Sequence, residues 1–114
     1  MDTTNFENLR EEFLSKESEL LEYKRGEYAG EGDRLLNFKQ ISAMFPYCFT
    51  PADVCLTYLL KHVQGIALCV GNRDYKKWFW QKDNREGLKQ RIADARNYLL
   101  LLAACIEEEV NNDA

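Results

Sequence analysis

One segment constrains the fold more than any other: Thr50-Pro51-Ala52-Asp53. Thr50 carries a side chain that caps helices. Pro51 suits the first helical position, where its missing N–H would have no partner anyway, and Asp53 lies three residues past the cap. From there to Val70 the chain holds no further proline. Val54, Leu56, Leu59, Leu60, Val63, Ile66, Ala67 and Val70 cover more than half the circumference of such a helix. Gly71-Asn72 is its expected stop. A helix apolar over so wide an arc is expected at the centre of a bundle, with several neighbours.

The flanking sequence supplies those neighbours. Phe6, Leu9, Phe13, Leu20 and Tyr28 recur at helical spacing over residues 5–28, widened by Leu14 and Leu21. Thr4 or Asn5 is the expected cap, and Gly30 and Gly32 the expected stop. Asp33 is placed to cap a shorter helix over 34–44, which Pro46 ends because the residue before proline avoids helical geometry. Asp83 or Asn84 is expected to cap a last helix reaching Val110. Leu88, Ile92, Ala95, Leu99, Leu102 and Ile106 mark one of its faces, and Tyr98, Leu101 and Cys105 a neighbouring one. Residues 73–82 fit a helical turn, a short strand or an ordered loop. The expectation is a single all-α domain over 1–114, a four-helix bundle with frayed ends at 1–4 and 111–114. The apolar surplus on the third and fourth helices points to a homo-oligomer.

Charge narrows the function classes. Net charge is −4, which disfavours duplex DNA as a partner, since phosphate neutralisation needs a basic face. The charge is segmented: residues 73–91 carry seven bases and three acids, whereas residues 1–33 carry ten acids and four bases. A basic segment between acidic ones suits a small anionic ligand. The polar start Met1-Asp2-Thr3-Thr4-Asn5 is unlike a signal peptide. The longest apolar run, Tyr98 to Ile106, is about half a bilayer span. A cytoplasmic protein without membrane attachment is therefore expected. Cys48, Cys55, Cys69 and Cys105 match no redox or zinc spacing and are expected as free thiols.

Several constellations carry possible chemistry. Glu19 and Glu22 sit one turn apart, either as a solvated acidic face or as oxygen ligands for magnesium. Asp94 and Asn97 share that spacing near the packed face of the last helix, where a carboxylate needs a cation or a metal. Lys61 and His62 interrupt an apolar helix, as a hydrogen-bonded core histidine with its neighbour or as donors to a phosphate or base. Arg34, Asn37 and Lys39 surround a helix start, which suits capping or an anion. Tyr75-Lys76-Lys77-Trp78-Phe79-Trp80 interleaves aromatics with cations. Lys77 and Trp78 there suit a nucleotide's phosphate and base, and the segment equally suits a protein interface.

Taken together, Lys24-Arg25-Gly26-Glu27-Tyr28, Asp33-Arg34-Leu35-Leu36-Asn37-Phe38-Lys39, Lys61-His62 and Asp94-Ala95-Arg96-Asn97-Tyr98 resemble the small phage and prophage proteins of the nucleotide modification associated, MazG-like type. The resemblance spans about residues 20–106. It implies an oligomeric helical fold related to nucleoside triphosphate pyrophosphohydrolases, which hold magnesium with an ExxE and an ExxD pair. Glu19 and Glu22 match the first pair and Asp94 the end of the second. Arg91 stands where the other carboxylate is expected, and a cation there meets phosphate directly. The resulting expectation is a phage-type protein that sequesters a nucleotide or nucleotide-derived immune signal without hydrolysing it and without a cofactor. Its binding residues would be Arg34, Asn37, Lys39, Lys61, His62, Lys77, Trp78, Arg91 and Asn97. A magnesium-dependent pyrophosphohydrolase of phage nucleotide metabolism is the alternative, with Glu19, Glu22 and Asp94 on the metal. A purely structural interaction bundle is the third.

Overall fold

Thr50 behaves as its sequence predicts. In the computed structural model, which describes residues 1–28 and 32–112, the Asp53 amide donates to Thr50 Oγ1 at 3.2 Å. The Thr50 amide donates back to Asp53 Oδ2 at 2.9 Å, so two of the free amides at the helix start are satisfied reciprocally. This helix, Pro51–Gly71, is the third of four: α1 (Thr3–Tyr28), α2 (Leu36–Ala43), α3 (Pro51–Gly71) and α4 (Leu88–Asn112). The protein is all-α, with a single 3₁₀ turn at Tyr75–Lys77 and two-residue strands β1 (Gln81–Lys82) and β2 (Arg85–Glu86) among the described residues.

The helix ends correct several expectations. Asp2, rather than Thr4 or Asn5, caps α1: its Oδ1 accepts the Asn5 amide at 2.7 Å. Thr3 and Thr4 are thus the first helical residues, and Asn111 and Asn112 still belong to α4. Gly30 lies outside the described residues. Asp33 accepts the Leu35 amide at 2.9 Å, but it stands two residues ahead of the cap position of α2, which Leu35 occupies. At the end of α3, the left-handed position falls on Arg73 (φ 55°), not on glycine. The Arg73 amide donates to Val70 O and the Asp74 amide to Cys69 O, the paired bonds of a Schellman ending.

Asp83 and Asn84 do not cap α4. They are the two loop residues of a hairpin in which Gln81 pairs with Glu86 and Lys82 with Arg85. Both have positive φ, 52° and 64°, as a two-residue hairpin of the type I′ kind requires, and Asp and Asn tolerate that region best after glycine. Gly87 follows. Its amide donates to Trp80 O at 2.7 Å, and a Cβ there would lie 1.8 Å from Phe79 O. Only glycine lets the hairpin close so near the start of α4.

The core sits where α2 crosses the α3–α4 pair. Leu35, Phe38, Val54, Cys55 and Cys105 form its buried centre. The Tyr58 and Tyr98 rings stack at 6.0 Å, Phe38 leans on both, and His62 stacks on Tyr98 at 5.2 Å. Burial pushes the Cys55 thiol up to about 12, so it packs as a small hydrophobe. Cys55, Cys69 and Cys105 are buried and Cys48 is exposed, all as free thiols. The α3–α4 pair is antiparallel: Cys55 meets the Tyr98 carbonyl near one end and Gly65 meets Arg91 towards the other.

α1 lies on α4 and is fastened mainly by polar contacts. Glu12 Oε1 accepts from Trp80 Nε1 at 2.7 Å and from Lys89 Nζ at 2.8 Å. Those bonds, Lys89 first, hold the Glu12 carboxyl below its usual range. Phe13 packs on Trp80 at 4.8 Å. One turn on, Glu17 pairs with Arg96, and Asn97 Nδ2 donates to the Glu17 carbonyl at 2.9 Å. Burial raises the Glu17 carboxyl above its usual value, opposed by Arg96. Phe6 and Leu14 of the expected apolar stripe remain exposed.

Candidate functional site

The residues expected to bind a ligand separate into three groups. The first comes together. Lys61 and Gly65 from α3, Asn72 and Asp74 from the turn after it, Lys77 from the 3₁₀ turn and Arg91 from α4 line one cleft of about 340 Å³. Three chain segments thus deliver three cations. Lys77 pairs with Asp74 at 3.3 Å. Among the described residues neither Lys61 nor Arg91 makes an ion pair; Lys61 Nζ lies 5.8 Å from the Tyr58 ring centre.

Gly65 explains how Arg91 reaches the cleft. A glycine inside an exposed helix costs roughly 1 kcal/mol relative to alanine, so its presence in α3 calls for a reason. A Cβ at residue 65 would lie 2.6 Å from Arg91 Nη1. The missing side chain is the groove in which the guanidinium crosses α3. Gly65, Asn72 and Asp74 belong to no site motif in the sequence; for the first, a lone glycine inside an otherwise unbroken apolar helix is the one available signal.

The second group is committed to the fold. Lys39 Nζ donates to Asp33 Oδ2 at 2.7 Å and pairs with Glu108 at 2.5 Å. That double contact raises the Lys39 ammonium above its usual value and holds Asp33 below its own. Arg34 donates to Glu22 Oε1 at 2.7 Å. Asn97 is spent on the α1 backbone, His62 is stacked on Tyr98, and Asn37 is half-buried on α2. Trp78 lines a different hollow, with Phe6, Phe13 and Ile92, and Lys89 lies 5.2 Å from its ring centre. It does not share the cleft of Lys61 and Arg91.

The third group is the carboxylates. Glu19 faces solvent, 65% exposed, beside Lys16. Glu22 is taken up by Arg34. Asp94 is buried at 1% exposure, with a bonding partner of its own. Among the described residues no group of three or more His, Cys, Asp or Glu side chains is placed to hold a metal ion.

The cleft gathers three cations, the polar side chains of Gln64 and Asn72, one carboxylate and the apolar Leu68 and Cys69, a lining whose charge balance suits an anion. Comparison with protein-family models, with curated proteins and with solved structures returns no match. Function rests on this geometry.

Proposed function

We propose that the protein binds a phosphate-bearing small molecule, a nucleotide or a nucleotide-derived signal, in the Lys61–Lys77–Arg91 cleft and holds it without cleaving it. The observation that carries this is the contrast in pairing. Lys39 and Arg34 are neutralised by carboxylates of the fold, whereas Lys61 and Arg91 line a cleft whose one carboxylate, Asp74, is paired with Lys77. Arginine presents a planar fork that matches phosphate, and lysine adds a compact charge. A volume of about 340 Å³ falls in the range of small-molecule sites.

Sequestration is favoured over hydrolysis by where the acids lie. Glu19 and Glu22 are engaged with cations on the α1 surface, and Asp94 is buried apart from the cleft lining. The resemblance to MazG-like proteins of phages supports a nucleotide as the ligand class and the host cytoplasm as the setting. Native mass spectrometry of protein purified from cells making different nucleotides tests this. An intact phosphate-bearing ligand that co-purifies with wild type and is missing from Arg91→Ala is the expected result. Magnesium-dependent release of pyrophosphate at an ordinary enzymatic rate, abolished by Glu22→Ala, would overturn it in favour of the pyrophosphohydrolase.

A further inference from the structure

α3 and α4 each carry a second apolar stripe that the fold leaves uncovered. On α3, Leu56, Leu60, Val63, Ala67 and Val70 follow one another at alternating steps of four and three residues. On α4, Leu99, Ala103, Ile106 and Val110 do the same. That spacing keeps every member on one line along the helix. Apart from the alanines, which are also exposed, each of these side chains is 41–61% exposed. The residues by which α3 meets α4 are Cys55, Tyr58, His62 and Gly65, and the α3 stripe lies about 140° round from them. The α4 stripe lies about 110° round from Arg91, Tyr98 and Cys105. In an antiparallel pair those two rotations point to the same side. α2 packs on the pair through Phe38, and α1 packs along α4 through Lys89, Arg96 and Asn97.

We infer that this two-helix face is the contact between two copies of the chain, which close into a four-helix layer about a twofold axis. Area favours it. The uncovered side chains present on the order of 600 Å² per copy, close to the ~800 Å² per partner of a standard interface. Chemistry favours it too: none of the nine stripe positions is charged, and an isologous contact of two such faces strands no charge. The rim argues against a lipid surface. Its exposed ions include Glu107, Glu109 and Asp53, which an anionic bilayer repels. α3 is long and apolar enough to cross a membrane by length and composition, but crossing would place Lys61 and His62 in hydrocarbon. The anion cleft opens on the opposite side of α3, so pairing leaves it accessible.

Sedimentation equilibrium across a concentration series tests the contact. Wild type is expected at twice 13.4 kDa. Leu60→Glu on α3 and, separately, Ile106→Glu on α4 should each raise the dimer dissociation constant about 100-fold or more, because the twofold buries two carboxylates. Both positions touch solvent in the single copy, so circular dichroism should be unchanged. Leu68→Glu, as exposed but off the stripe, should leave the dimer intact. A wild-type mass of 13.4 kDa at high concentration overturns the contact, as does a dimer that survives both stripe variants. So does flotation of wild type with phosphatidylcholine–phosphatidylserine vesicles that Leu60→Glu abolishes. Ligand binding by a monomer would leave the proposed function standing while removing the dimer.

Discussion

The two ends of α4 treat cations in opposite ways. Near its C-terminus, Glu108 joins Asp33 in holding Lys39, and the three groups form a closed charge cluster that ties α4 to α2. Near its N-terminus, Arg91 crosses α3 over Gly65 and ends in a cleft that Lys61 also lines, where the one carboxylate, Asp74, is held by Lys77. Both ends looked alike as sequence: a lysine or arginine near a helix terminus. The difference lies in what the neighbouring helix contributes. Carboxylates make the first end a fastening. A missing side chain leaves the second open to a ligand.

The largest effect expected from that difference is at Arg91. Charge-assisted bonds contribute roughly 1.5–3 kcal/mol, so Arg91→Ala should weaken nucleotide binding about 10- to 100-fold. The melting temperature should stay close to wild type, because no ion pair of the fold is lost. Fluorescence-monitored thermal unfolding beside a binding titration separates the two quantities. Equal losses of both would erase the distinction between the ends.

Gly65→Ala sharpens it further. The new methyl crowds Arg91 Nη1 while removing a glycine penalty of about 1 kcal/mol from α3. Affinity should fall about tenfold, the size of one weakened contact, while urea unfolding shows stability equal to or above wild type. A variant that binds as tightly as wild type would mean the groove has no part in the site.

Lys39→Ala is the mirror case: a lower unfolding midpoint and unchanged affinity. The pH dependence follows from the same cluster. Asp33 has a folded pKa depressed below 3.8, so its contribution is complete above that value and is lost as pH falls through the folded pKa. Lys39 has a folded pKa raised above 10.5, so its contribution is complete below that value and is lost as pH rises through the folded pKa. Stability measured between pH 2 and 5 should therefore fall less steeply in Lys39→Ala than in wild type. Identical acid limbs would show that the cluster adds nothing to stability.

The helices could be read from sequence because their causes are local. Thr50, Pro51 and Asp53 set the start of α3 without help from the rest of the chain, and apolar periodicity marked α1 and α4. The hairpin at 81–86 escaped because Asp83-Asn84 serves equally well as a helix cap or a left-handed two-residue turn. What decides is Gly87, whose close approach to Phe79 O is a tertiary fact. The binding residues were legible as types but not as partners. Arg34, Lys39, Lys61 and Arg91 each read as a cation available to phosphate. Which of them a carboxylate has already claimed depends on Glu22, Asp33 and Glu108, residues up to 69 positions away along the chain from the cation they hold. Trp78 and Lys77 are adjacent in sequence, yet the short 3₁₀ turn sends the two side chains into different hollows.

Cations unclaimed by carboxylates at one end of α4 are proposed to hold the ligand, and claimed ones at the other end to fasten the fold. Calorimetric titration of wild type, Arg91→Ala, Lys61→Ala and Lys39→Ala with a panel of nucleotides at two salt concentrations tests it most directly. Wild type and Lys39→Ala should bind the same phosphate-bearing ligand equally tightly, more weakly at high salt. Arg91→Ala and Lys61→Ala should lose about tenfold or more of that affinity, with Lys61→Ala less sensitive to salt. A ligand held by Arg91→Ala as tightly as by wild type, or released by Lys39→Ala, would contradict the account.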